Sequence, residues 1–124
     1  MKKTGRGFTL SEIMVVIVIL GVLALIAIPV YSGVRKASLE SAAMQNTQLI
    51  NAAKRSFGLT VPNSAAQWAA ASTDTARLQL LIAAGLLDGS PAGYLTMPGG
   101  YAISLPGGIN NRTDLTHDGT PVTY

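Results

Sequence analysis

The sequence contains no cysteine. A thiolate zinc site, a redox pair and a disulfide framework are therefore excluded. Histidine occurs once, as His117, and tryptophan once, as Trp68. The D-x-x-H-D run from Asp114 to Asp118 sits in a turn-rich stretch and reads as an exposed loop histidine. Catalysis would need a positioned nucleophile and a cleft around it, and no pattern supplies either, so no enzyme is expected. Glycines occur in pairs, Gly99-Gly100 and Gly107-Gly108, which mark turns rather than a phosphate-binding loop. Charge is also scarce, at 12% of residues against 48% hydrophobic ones. That balance rules out a chain kept disordered by its own charge.

The shortage of charge is most severe near the start. Between Phe8 and Tyr31 the only ionisable side chain that is charged at neutral pH is Glu12, and Ile13 to Val30 is an uncharged run of 18 residues. That length fits a membrane-spanning helix. Leu, Ile, Val and Phe occupy 15 positions from Phe8 to Val30. Together they favour the bilayer by up to roughly 5–9 kcal/mol. A carboxylate near the end of the span costs less than the roughly 2.5–3.5 kcal/mol charged at mid-bilayer, so insertion wins with Glu12 present. The run exceeds the ~7–15 apolar residues of a secretory signal, and no small-x-small cleavage site follows it. Lys2, Lys3 and Arg6 precede it and account for the net charge of +3. They read as a topology signal that keeps the N-terminus cytoplasmic and puts the rest outside.

Gly7 followed by Phe8-Thr9-Leu10-Ser11-Glu12 resembles the N-terminal signal of type IV pilins and the pseudopilins of type II secretion. Gly21, Pro29 and Tyr31 fall where that family places a glycine, a proline and a tyrosine. Ser11 departs from the pattern, which more often has an aliphatic residue there. The resemblance implies cleavage between Gly7 and Phe8 by a prepilin peptidase, then N-methylation of Phe8. It implies an inner-membrane assembly platform and copies of the chain itself as partners, with membrane lipid around the helix before assembly. Glu12 lies one helical turn from Phe8 and on the same helical face, and we expect it to neutralise the new Phe8 amine, on its own chain or a neighbour's. Gly21 and Pro29 bound the weakest part of the helix, because proline removes a donor and clashes one turn back.

Beyond Tyr31 apolar residues recur at spacings of three and four. Leu39, Ala43, Ile50, Ala53 and Phe57 form a stripe, and Gly58 is expected to stop the helix. Arg35-Lys36 and Lys54-Arg55 read as solvated helix surface, with no aromatic cluster to favour nucleic acid. Ser64 and Gln67 resemble a capping box, Asp74 a cap for the next helix, and Gly85 a stop. Tyr94–Met97 and Tyr101–Leu105 are expected as strands around Pro98-Gly99-Gly100, with a further pair across Asp118-Gly119. Asn110, Asn111, Asp114 and Asp118 are oxygen donors that would suit calcium, present in some major pseudopilins, but their spacing does not reproduce that site; no cofactor is expected.

The expected fold is α+β and pilin-like, a long N-terminal helix packed on a small antiparallel sheet. Its parts are a leader (1–7), a membrane or filament-core half-helix (8–31), an amphipathic half (32–58) and a small domain (59–124). The expected function is a structural filament subunit that reaches a pilus outside the cell or a pseudopilus in the periplasm. The alternatives are a type II secretion pseudopilin and a membrane-tethered binding module.

Overall fold

A computed structural model describes residues 7–124. Lys2, Lys3 and Arg6, and all of the leader before Gly7, lie outside the described residues. The elements run α1 (Leu10–Thr60), α2 (Ser64–Ala70), α3 (Asp74–Ala83), α4 (Pro91–Leu95), β1 (Tyr101–Ser104), β2 (Asp114–His117) and β3 (Thr120–Pro121). The chain divides after Lys36 into two units, and α1 contributes to both.

In the first unit, the span of α1 is apolar on every side and exposed among the described residues. Pro29 lies inside the helix, and the Ser32 hydroxyl donates to the Pro29 carbonyl at 2.9 Å. This back-bond is the local side-chain pattern of serine in helices and does not replace the donor that Pro29 withholds from the Leu25 carbonyl.

In the second unit, α1 presents Ala43, Thr47, Ile50, Ala53, Lys54 and Phe57 to the core. The expected stripe is present, with Leu39 at its partly buried edge. Gly58 does not end the helix, which continues to Thr60. A single glycine costs about 1 kcal/mol in a helix interior, whereas Pro62 disfavours helical backbone at Val61. The stop therefore falls at the proline. The Thr60 hydroxyl bonds the Ser56 carbonyl at 2.7 Å within this last turn.

Local caps differ from the sequence reading in two places. Asn63, in the left-handed region at φ 58°, precedes α2 and gives no side-chain cap. Ser64 is already helical, and its hydroxyl turns back to the Gly58 carbonyl at 3.3 Å, so the Ser64–Gln67 box does not form. Thr73, not Asp74, caps α3 by accepting from the Ala76 N–H at 3.1 Å. Gly85 closes α3 as expected, at φ 71°. Its N–H reaches the Ile82 carbonyl while Leu86 reaches Leu81, the paired bonds of a left-handed helix stop.

The expected strand at Tyr94–Met97 is largely the helix α4. Pro91 sits in its first turn, where a missing N–H costs nothing and φ is preset. Only Thr96 keeps a strand-like bridge, to Ala102. The sheet itself is antiparallel in the order β1-β2-β3, with Ile103 opposite Leu115 and Thr116 opposite Pro121. Asp118 and Gly119 join β2 to β3 with φ of 49° and 79°, the mirror-image turn that matches strand twist. Gly100 lies against this hairpin, where a Cβ would collide with the Asp118 carboxylate.

The core gathers Ile50 and Phe57 of α1, Trp68 of α2, Leu78 and Leu81 of α3, and Leu105 and Leu115 around the sheet. Trp68 is fully buried, with its ring centroid 6.4 Å from that of Phe57. Its indole N–H donates to the Pro106 carbonyl at 3.1 Å. Trp68→Ala should cost about 3–5 kcal/mol through lost burial and the cavity left behind. Denaturant unfolding of the full chain in detergent, followed by tyrosine emission, measures it.

Candidate functional site

The N-terminal candidate begins in the ordinary chemistry of a helix start. Four N–H groups in the first turn have no partner inside the helix. Thr9 and Glu12 supply two partners reciprocally. The Thr9 N–H donates to the Glu12 carboxylate at 2.8 Å, and the Glu12 N–H donates to the Thr9 hydroxyl at 3.3 Å. The same hydroxyl donates to the carboxylate at 3.0 Å. This is a capping box, threonine at the cap and glutamate three residues on. The T-x-x-E spacing of Thr9 and Glu12 is the sequence signature of such a box.

The box corrects one expectation. Phe8 lies before the cap, outside the helix and 86% exposed, so it does not share a helical face with Glu12. The carboxylate is instead aimed at the main chain immediately after Phe8. Gly7 and Phe8 are both exposed, and nothing within 4 Å would meet a Cβ on Gly7. Gly21 is equally open, and Pro29 is inside the helix. The N-terminal candidates are thus brought together only at Gly7–Glu12.

In the second unit two expectations change. His117 is not in an exposed loop. It lies on β2, half-buried, with its ring stacked on Tyr101 at 4.4 Å and its Nε2 3.6 Å from the Asp118 carboxylate. Burial, and then the Glu40 and Asp118 carboxylates, push the Tyr101 phenol above its ordinary value.

Lys54 is the larger surprise, because it is only 2% exposed. Its ammonium donates to the Asn111 carbonyl at 2.6 Å and stands 5.1 Å from the centroid of the Trp68 ring. Burial, then repulsion from Arg77, hold its pKa below the ordinary 10.5, and Asp114 offsets this in part. No sequence signal marked it, since Lys54-Arg55 looks like any solvated pair. The same contact bears on calcium. Lys54 occupies the carbonyl of Asn111 and Arg112 follows directly, while Asp118 faces Gly100. Among the described residues no three His, Cys, Asp or Glu side chains converge as metal ligands.

The model for the prokaryotic N-terminal methylation motif matches residues 2–28. The type IV major pilin protein PilA of Myxococcus xanthus (strain DK1622) is 44% identical over 53 residues, covering 43% of this chain and 24% of that protein. The chain thus matches about a quarter of the length of that curated relative. No solved structure matches it significantly.

Two outcomes follow from these contacts. Thr9→Ala should weaken the helix start by about 1 kcal/mol, within the usual range for a lost cap. Amide exchange at Glu12 would then quicken about fivefold by NMR in micelles. Lys54→Met should be no less stable than the parent at pH 7, because it removes a buried charge while keeping most of the volume. The unfolded lysine binds its proton up to about 10.5, and the folded one releases it at lower pH. Parent stability therefore rises with pH in the window below 10.5. The variant's advantage should shrink there, as denaturation at stepped pH would show.

Proposed function

We propose that this chain is a structural filament subunit of the type IV pilin and pseudopilin kind, a reading supported by its N-terminal match to the methylation motif and its likeness to a type IV major pilin. The observation that supports this most is the first-unit part of α1, whose large apolar side chains from Ile13 to Val30 are exposed all round among the described residues. A helix of that kind needs lipid or other apolar helices. In the proposal it has lipid first, with the N-terminus cytoplasmic, and copies of itself afterwards. The prepilin peptidase cuts between Gly7 and Phe8, and the Phe8 amine is then methylated. No reaction is catalysed by the chain itself.

The capping box supports a sharper role for Glu12. Its carboxylate already serves the N–H beside Phe8. Once Phe8 carries a free amine, the carboxylate is within one turn of a cation, and a water-poor bundle makes an unpaired charge costly. Pairing across neighbouring subunits would set their register, while Gly21 to Pro29 gives the helix room to yield during packing. An inner-membrane platform would extract each copy, delivering it to a pilus outside the cell. The pseudopilus of type II secretion is the second reading. The absence of cysteine favours it, since many pilins close a loop with a disulfide. The cation-occupied carbonyl of Asn111 speaks against its calcium-bearing form.

Sheared surface material, examined by electron microscopy and mass spectrometry, tests the reading. Filaments whose subunit begins at N-methylated Phe8 are expected. A processed chain confined to the envelope would favour the pseudopilus, and retention of residues 1–7 would overturn both. Glu12→Ala should be processed normally yet reduce filament yield at least about tenfold, given the cost of an unpaired amine in an apolar bundle. An undiminished yield would remove the register role.

A further inference from the structure

The second unit has a groove of about 520 Å³ between α1 and the loop that carries Ile109 to Arg112. Its charged side chains are all cationic, namely Lys54, Arg55 and Arg112. These three come from positions 54–55 and 112, so only the tertiary fold assembles them. Lys54 is the informative member. An ammonium carries three donors, and this one has a single hydrogen bond, to Asn111. Among the described residues no carboxylate lies within 4 Å of it. A buried charge without a counter-ion is costly, and Arg77 adds repulsion that Asp114 only partly offsets. The groove is therefore organised around Lys54, a positive charge that no side-chain carboxylate among the described residues pairs.

The other lining groups narrow the chemistry. Arg112 is held in place, stacked 4.0 Å from the centroid of the Tyr124 ring and bonded to the Tyr124 carbonyl. The Asn51 amide is spent on both sides, accepting from the Thr113 N–H at 2.9 Å and donating to the Tyr124 hydroxyl at 3.2 Å. Gln48 and Asn110 also line the groove, and their amides can both donate and accept. Cations on one side with free carboxamides beside them suit a carboxylate that is flanked by hydroxyls. The volume lies within the range of small-ligand pockets.

We propose that this groove binds the sugar-acid unit of an acidic carbohydrate, its carboxylate on Lys54, Arg55 and Arg112 and its hydroxyls on Gln48 and Asn110. The site lies wholly within the second unit, on the part of α1 beyond the apolar run, and does not depend on the pilus reading. The filling anion would give Lys54 the counter-charge that the fold omits.

The test is calorimetric titration of the full chain in detergent with three probes: glucuronate, glucose and acetate. Glucose has the hydroxyls without the carboxylate, and acetate has the carboxylate without the ring. Saturable glucuronate binding, at least about tenfold tighter than either, is expected if charge-assisted and neutral hydrogen bonds act together. Equal binding of acetate would reduce the groove to an anion trap and overturn the proposal. Equal binding of glucose, or no glucuronate binding, would overturn it too. Lys54→Met and Arg55→Gln should each weaken glucuronate by about tenfold. Arg55 is exposed on α1, so its variant keeps the test valid if Lys54→Met folds poorly. Unchanged affinity in folded Arg55→Gln protein would remove the cationic contact from the site.

Discussion

The uncovered apolar surface of the first unit is the constraint from which everything else follows. From Ile13 to Val30 the helix exposes large hydrophobic side chains around its whole circumference. Water cannot be their surroundings at acceptable free energy. The backbone is satisfied internally, as a bilayer demands, while the side chains accept either lipid or similar helices. One helix can therefore serve in two apolar surroundings without changing its fold. The polar event is confined to its start, where Thr9 and Glu12 bond each other's main chain.

The second unit solves a different problem. It has few residues for a core and no cysteine to staple it. Long-range polar contacts do part of the work instead. Trp68 reaches the Pro106 carbonyl, Arg77 reaches the Leu105 carbonyl at 2.7 Å, and Asn51 ties α1 to the Thr113 main chain. The Tyr124 hydroxyl also bonds the Thr113 carbonyl. These bonds hold the irregular connection between β1 and β2 against α1, α2 and α3, where its buried main-chain groups need partners. Lys54 belongs to the same set, with a charge where an amide would have sufficed. That excess is what gives the groove its sign.

Local signals were legible where a single segment settled the matter. The uncharged run, the stop at Gly85 and the Asp118-Gly119 hairpin each depend on neighbours within a turn. Errors arose where two local rules competed. Gly58 and Pro62 both argue against helix, and the proline prevailed because it restricts the preceding residue as well as lacking an N–H. Ser64 could cap or enter α2, and Asn63 settled it by taking the left-handed position. At Pro91 a preset φ favoured a helical turn over the expected strand.

By itself the sequence determined the character of α1 through its membrane-length part, because hydropathy and the Gly7–Glu12 spacing need no distant partner. It also carried the fold class, through a helical period that gives way to turns and short strands. The tertiary structure alone decided the fate of Lys54 and His117. Burial of Lys54 depends on Trp68 and on Asn111, residues 14 and 57 positions away, and stacking of His117 depends on the register that sets Tyr101 opposite it. A side chain's environment is a property of segments that meet only in the fold, and no periodicity along one helix can report it.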